Sequence, residues 1–395
     1  MLVAVAFFVA GCGGDQGGGP TATIVSDLPL QGPSRAENET IVNAVTLALE
    51  ERDYMAGDVR IEYQSQDDAR DGKWDEATCE ENAQSAAGDE SIVGWIGPFN
   101  SGCARLQIPI LNEAGLAMIS PANTALKLTK PSVDPDEPEK YYPTGERNYT
   151  RVIVTHDKQG RGSAMWMRDL GVQSVFVLDD EETDGRTVAN QFEQSARELG
   201  MEVLGREGVD GNVGDYRSLM QRIARLDPDA IYFAGVAQDN TGRLVTDKVG
   251  AGMSNEDVLF MGPDGINDQT FLDAAGGAAE GIYVTFGSLF PSELAARGQE
   301  FVDRYGERFG SDPEPYTANG YEAANVLLDA IERSYEADGE VTRAGVVQEL
   351  FAIQNYDGVL GTWSFDEDGD PDLTEISVQR VENGEFEFYR TIDIG

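Results

Sequence analysis

Histidine is almost missing from this chain: His156 stands alone among 395 residues. That scarcity removes Ser-His and Cys-His nucleophilic pairs and histidine-rich zinc centres from consideration. Basic residues are scarce as well, 29 Lys and Arg against 71 Asp and Glu, leaving a formal net charge of -42 at pH 7. A surface of that sign repels polyanions, which disfavours nucleic acid as a partner. The same acidity suits a saline or acidic medium, where counterions screen the self-repulsion. After the first dozen residues no apolar run is long enough to cross a bilayer. Cysteine numbers three.

What is present begins with MLVAVAFFVAGC, an apolar stretch too short for a membrane span that ends on small residues before Cys12. It has the h-region and cleavage site of an export signal, although no Lys or Arg precedes it. VAGC resembles a bacterial lipobox, which implies that Cys12 becomes lipid-modified and that residues 1–12 are signal peptide and lipobox. The following GGDQGGGP is too Gly-rich to order itself and makes residues 13–20 a flexible tether. Export to an oxidising compartment makes a Cys79–Cys103 disulfide the leading reading, against two buried thiols.

From residue 21 β-rich runs alternate with helical patterns: TATIVSDL, then ENETIVNAVTLALEERD; VRIEYQSQ, then WDEATCEENAQSAA; SIVGWIG, then CARLQIPILNEAG; and LAMIS. Such alternation predicts βαβ units and a parallel sheet. The Pro-rich KPSVDPDEPEKYYPTGERNYTR interrupts it. The pattern restarts with VQSVFVLDD, RTVANQFEQSARELG, AIYFAGV and VLFMGPDG, and the chain closes with long helices and a β-rich tail. The length allows two domains. The fold class is therefore α/β, two doubly wound lobes in series, with ligands expected at the carboxyl ends of their strands.

Few motifs carry reactive chemistry. DEDGDPD, residues 366–372, has its glycine two positions too early for an EF-hand and reads as a charged turn. QGRGSA lacks the third glycine of a dinucleotide loop. His156, in THDKQGRG, reads as a solvated loop or crossover residue. No metal, cofactor or catalytic residue is expected.

FNSG and SPANT, by contrast, both fall where an apolar run stops, as does GPDG at 262–265. A helix N-terminus offers unpaired N–H donors and a partial positive charge. Ser101 would add its hydroxyl there, beside Asn100, and Thr124 with Asn123 would do the same in SPANT. Each also serves as an ordinary helix cap on its own. Two such donors in one lobe facing Asp264 in the other suit an α-amino acid, carboxylate on Ser101 and Thr124, ammonium on Asp264.

GPFNSG followed by GLAMISPANTALKLT, with IEYQSQDDAR, VLFMGPDGINDQTFLDAAGGAAEGIYVT and YDGVLGTWSFDEDGD, resembles the leucine/isoleucine/valine-binding proteins, the type I solute-binding proteins of ABC importers. The likeness runs from about residue 23 to 382. It implies a three-strand hinge, with 21–152 plus 286–364 as one lobe and 153–285 plus 365–395 as the other. It implies that Ser101 binds the ligand carboxylate, that the Ala122 carbonyl takes the ammonium, that Thr124 contacts both and that Asp264 stands where the family has a glutamate. Phe99 falls at a position lining the side-chain pocket, and Val236 where an aromatic often stands. At Thr183 and Asp184 the family's Tyr-Gly pair is replaced.

The expectation is an extracytoplasmic binding lipoprotein, lipid-anchored on the outer face of the cytoplasmic membrane. It would act as a monomer, take a branched-chain or similar amino acid and hand it to a membrane permease. A ligand-sensing receptor domain for amides or carboxylic acids would share the fold but carry an output segment. A secreted hydrolase would need a general base in the cleft.

Overall fold

A computed structural model describes residues 19–237 and 240–395; Cys12 and the apolar stretch before it lie outside the described residues. The chain opens with β1 (Thr21–Leu28), α1 (Arg35–Glu51), β2 (Met55–Ala56), β3 (Val59–Asp67), the hairpin of β4 (Ala69–Arg70) and β5 (Lys73–Trp74), α2 (Glu76–Gly88), β6 (Ile92–Ile96), α3 (Ser101–Glu113), β7 (Ala117–Ser120) and β8 (Tyr149–Arg151). Six of these strands make one sheet in the order β2-β3-β1-β6-β7-β8. Only the two-residue β2 runs antiparallel. Strand order reverses between β1 and β6, so a crevice opens at their carboxyl ends, directly ahead of α3.

The second alternation gives α4 (His156–Asp169), β9 (Ser174–Asp179), α5 (Thr183–Glu198), β10 (Glu202–Gly208), α6 (Arg217–Ala224), β11 (Ala230–Ala234), α7 (Thr241–Gly250), β12 (Leu259–Gly262), α8 (Gln269–Ala275) and β13 (Tyr283–Phe286). The chain then returns to the first sheet with α9 (Ala296–Phe309), α10 (Thr317–Asp338), α11 (Arg343–Phe351) and the hairpin of β14 (Tyr356–Gly358) and β15 (Gly361–Trp363), before ending in β16 (Glu375–Glu382) and β17 (Glu385–Asp393). The second sheet runs β10-β9-β11-β12-β13-β16-β17. The chain passes between the two lobes three times.

Both lobes are α/β and doubly wound, but the second sheet is not wholly parallel: β16 and β17 add to its edge antiparallel. The cause is local. Asn383 and Gly384 have φ of 55° and 81°, a two-residue turn of the kind that closes a hairpin, whereas a parallel pair would need a crossover helix.

Packing follows the apolar pattern. Helix α10 drives Val326, Leu327, Ala330 and Ile331 into the core over β1 and β6. A Cβ on Gly94 would lie 2.6 Å from Leu327 Cδ2, so the glycine lets helix and sheet meet. A disulfide joins Cys79 in α2 to Cys103 in α3 across a Cα–Cα distance of 5.7 Å.

Burial raises three carboxyl groups of this first lobe, Glu322, Asp27 and Asp68, above their ordinary range. Glu322 on α10 accepts the N–H of Val359 at 2.9 Å and Trp363 Nε1 at 2.7 Å, tying the β14–β15 hairpin to the helix. Burial pushes it up to about 7; the same effect moves Asp27 to about 7 and Asp68 to about 8. Each keeps a proton in the folded chain that the unfolded chain releases near pH ~4. Between those values the native state binds more protons, so stability falls as pH rises. The melting temperature is expected to be lower at pH 8 than at pH 5. Glu322→Gln, neutral at both, should shrink that drop by a few degrees in calorimetry; an unchanged drop would show that Glu322 titrates normally.

Candidate functional site

The first half of the site is two loops at the carboxyl ends of β6 and β7. Gly97 turns the chain with φ 123°, and a Cβ there would sit 2.4 Å from the carbonyl oxygen of Asp27, so only glycine fits. Four residues on, α3 starts at Ser101. Asn100 serves as its cap through its carbonyl, which accepts the N–H groups of Cys103 and Ala104 at 3.0 and 3.1 Å; its side chain makes no capping bond. Ser101 Oγ accepts the N–H of Ala125 at 3.4 Å, bringing the FNSG and SPANT loops together.

The loops are locked from below. Ser120 Oγ donates to the Pro98 carbonyl at 2.9 Å and accepts the N–H of Asn123 at 3.0 Å. Asn123 Nδ2 donates to the Phe99 carbonyl at 2.8 Å, and its Oδ1 accepts Tyr149 OH at 3.1 Å. Asn123, expected at the ligand, is fully buried and spends its amide on the scaffold. Arg151 donates to the carbonyls of Asn123 and Ala125 at 2.9 and 2.8 Å and pairs with Asp370 at 2.7 Å. The DEDGDPD run thus reaches back to support the SPANT loop. Its Asp366 and Asp368 hold Lys130 at 2.7 and 2.9 Å.

The second half comes from the other sheet. Asp264 opens a short turn, Asp264–Ile266, after β12. Its carboxylate accepts Gln159 Nε2 at 3.0 Å and lies 3.6 Å from His156 Nε2. Tyr316 approaches it from the first lobe, and burial together with that carboxylate raises the phenol far above its ordinary range. His156 is not a solvated loop residue. It starts α4, its N–H donates to the Thr124 carbonyl at 2.9 Å and its Nε2 bonds to Thr124 Oγ1. Thr124, His156 and Asp264 form one chain of contacts across the cleft.

Gln159 and Tyr316 escaped the sequence reading, which named His156 only as a solvated loop or crossover residue. The usable signal was position: THDKQ lies where the second alternation restarts, hence where the chain crosses between lobes. The glycines of QGRGSA pack α4 instead of binding phosphate. A Cβ on Gly160 would lie 3.1 Å from the Phe192 nitrogen, and one on Gly162 2.2 Å from Ile376 Cδ1.

Between the halves lies an apolar floor. Ala122, Ile153, Phe286 and Tyr316 form one cluster with Phe99 packed against it, the Phe99 and Tyr316 rings 4.9 Å apart edge to face. Val236, 39% exposed, stands beside the Asp264 turn, its Cγ1 2.9 Å from where a Gly265 Cβ would be.

The two-lobed fold has counterparts among known proteins. A family model, periplasmic binding protein, matches residues 23–385. The chain belongs to the periplasmic binding protein family. It resembles the leucine-, isoleucine-, valine-, threonine- and alanine-binding protein of Pseudomonas aeruginosa, 24% identical over 345 residues, 87% of this chain and 85% of that one. It is similar in structure to a leucine-binding protein of Thermotoga maritima, TM-score 0.76 at 25% identity, covering 94% and 99% of the two chains. A solute-binding protein of an ABC transporter from R. palustris, in complex with benzoate, shares the fold at 18% identity, TM-score 0.70, with 94% and 96% covered. Membership of that family makes the chain a solute-binding protein that works outside the cytoplasm. Among its described residues no helix is long and apolar enough to cross a membrane.

Asp184 lies in the first turn of α5 and pairs with Lys127 at 2.7 Å. Lys127 follows the SPANT loop, so this ion pair bridges the lobes. It is the contact the sequence had placed on the ligand. Lys127→Met should weaken ligand binding about two- to fivefold in low salt, the scale of a partly exposed pair. The loss should shrink at high ionic strength. Calorimetry at two salt concentrations checks it; equal affinities in low salt would show that the pair does not stabilise closure.

Proposed function

We propose that this protein captures a small amino acid, branched-chain or similar, between its closing lobes and presents it to an ABC permease. The observation that carries this reading is the opposition of Ser101 and Thr124, at the start of α3 and its neighbouring loop, to Asp264 in the second lobe, bridged by His156. The ligand carboxylate would take Ser101, Thr124 and the α3 N–H donors. Its ammonium would take Asp264 and the Ala122 carbonyl, with Phe99 and Val236 beside the side chain. Binding favours the closed state by contacts that only the closed state makes. Recognition needs no bond-breaking group, and a monomer suffices.

Asp264→Asn keeps the shape and removes the charge. A charge-assisted hydrogen bond is worth about 1.5 to 3 kcal/mol, so amino-acid affinity should fall on the order of tenfold to a hundredfold. Ser101→Ala should weaken amino acids and plain carboxylic acids alike. Calorimetry on both variants decides between the readings. If Asp264→Asn binds as tightly as the parent, the ammonium assignment fails and an acid such as benzoate, or a neutral amide, takes its place.

The lipobox-like VAGC further supports anchoring through Cys12 on the outer face of the cytoplasmic membrane. Metabolic labelling with a palmitate analogue should mark the protein and Cys12→Ala should abolish the mark; an unlabelled, freely soluble parent would overturn the anchor.

A further inference from the structure

We propose that His156 is a positioning residue for the anionic end of the ligand: its Nε2–H donates to the Thr124 hydroxyl oxygen, which leaves the hydroxyl proton for the ligand and makes the cleft select a free carboxylate over its amide. The inference rests on the amino-acid reading above and assigns the origin of its selectivity at the carboxylate.

A threonine hydroxyl carries one proton and two acceptor sites. If Thr124 spends that proton on the imidazole, it can only accept from a ligand, which suits an ammonium or an amide N–H. If it accepts from the imidazole, its proton is free for a carboxylate. The contact between Thr124 Oγ1 and His156 Nε2 fits both, and the surroundings of Nε2 decide between them. Asp264 Oδ1 stands 3.6 Å from the same nitrogen. The other oxygen of that carboxylate accepts Gln159 Nε2 at 3.0 Å, which fixes the side facing the ring. A lone pair on Nε2 would confront the anion, whereas an N–H meets it with the positive end of a bond dipole. Only 16% of the His156 side chain and 6% of that of Asp264 is exposed, so little water screens the difference. Nε2 therefore carries hydrogen, in the neutral ring or in the imidazolium, and Thr124 accepts.

The backbone keeps the two side chains together. The His156 N–H donates to the Thr124 carbonyl at 2.9 Å, so the start of α4 and the SPANT loop are tied at two points. Ser101 is set the same way from the other side: its Oγ accepts the Ala125 N–H at 3.4 Å, which leaves its proton free as well. Two hydroxyls whose acceptor sides are taken up by the protein present two donors to one group. A carboxylate accepts both. An amide puts an NH2 where one of the oxygens belongs, and donor then meets donor, the mismatch by which a hydrogen-bonding site rejects an analogue.

His156 is the only histidine in the chain, so isotope-labelled histidine shows one imidazole and nothing else. A long-range proton–nitrogen correlation spectrum of the ligand-free protein is expected to show Nε2 protonated; a bare Nε2 with the proton on Nδ1 would overturn the inference. That measurement needs neither variant nor ligand, so a poorly folding variant does not blunt the test. Calorimetry with leucine and leucinamide reads the consequence. The parent should favour leucine about tenfold or more. His156→Leu should cut that preference about fivefold or more, while His156→Gln, whose amide N–H can replace Nε2–H, should keep most of it. An unchanged preference in a folded His156→Leu would overturn the inference and leave the amino-acid reading standing. Failure of leucine, valine and alanine to bind at all would overturn the amino-acid reading and the inference with it.

Discussion

The buried pair of Arg151 and Asp370 is the contact on which the site depends. Arg151 is wholly buried and Asp370 3% exposed, so both have lost their water, and the loss is tolerable because every nitrogen of the guanidinium finds an acceptor. One edge meets Asp370; the rest reaches the carbonyls of Asn123 and Ala125 and the hydroxyl of Thr129. Three segments distant in sequence meet there: the end of β8, the SPANT loop and the turn from 366 to 372. Removing either charge would strand the other, a change that typically costs about 3 to 5 kcal/mol, and would free the loop that presents Thr124. Gly369 permits the meeting, since at φ 87° a Cβ would lie 2.5 Å from the Tyr149 carbonyl.

Above that foundation the cleft is assembled from contacts that cross between lobes. Thr124 meets His156 at a crossover, Tyr316 meets Asp264, and Lys127 meets Asp184. These are polar contacts, with a small apolar floor between them. Polar pairs exposed on opening regain water at little loss, so they hold a closed state without making it permanent. A large apolar interface would not reopen as readily. On the proposed reading, capture and closure would use neighbouring residues of the same two loops.

Net acidity acquires a local meaning in this setting. Most of the surplus carboxylates lie on the surface, where salt screens them. Asp264 is different because it stands between the lobes, held by Gln159 at 3.0 Å and 3.6 Å from His156, and there a charge biases what can enter.

The sequence by itself determined the α/β class, the two lobes and that Ser101, Thr124 and Asp264 follow the carboxyl ends of strands. Alternating apolar runs have a period that one strand or helix can express alone, and small polar residues at the end of such a run mark where a strand gives way to a helix start. Residues whose meaning is a partner far along the chain were not legible. His156 read as a solvated loop or crossover residue and does stand at a crossover, but nothing in THDKQGRG reveals that Thr124, 32 positions earlier, will bond to it. Asn123 and Asp184 read as ligand contacts, yet the fold gave one to Phe99 and Tyr149 and the other to Lys127. The acidic run at 366 read as a charged turn, and the fold spent its charges on Lys130 and Arg151. A side chain's local pattern fixes which element carries it; only the packing of that element against distant ones decides whether its polar atoms are left for a ligand.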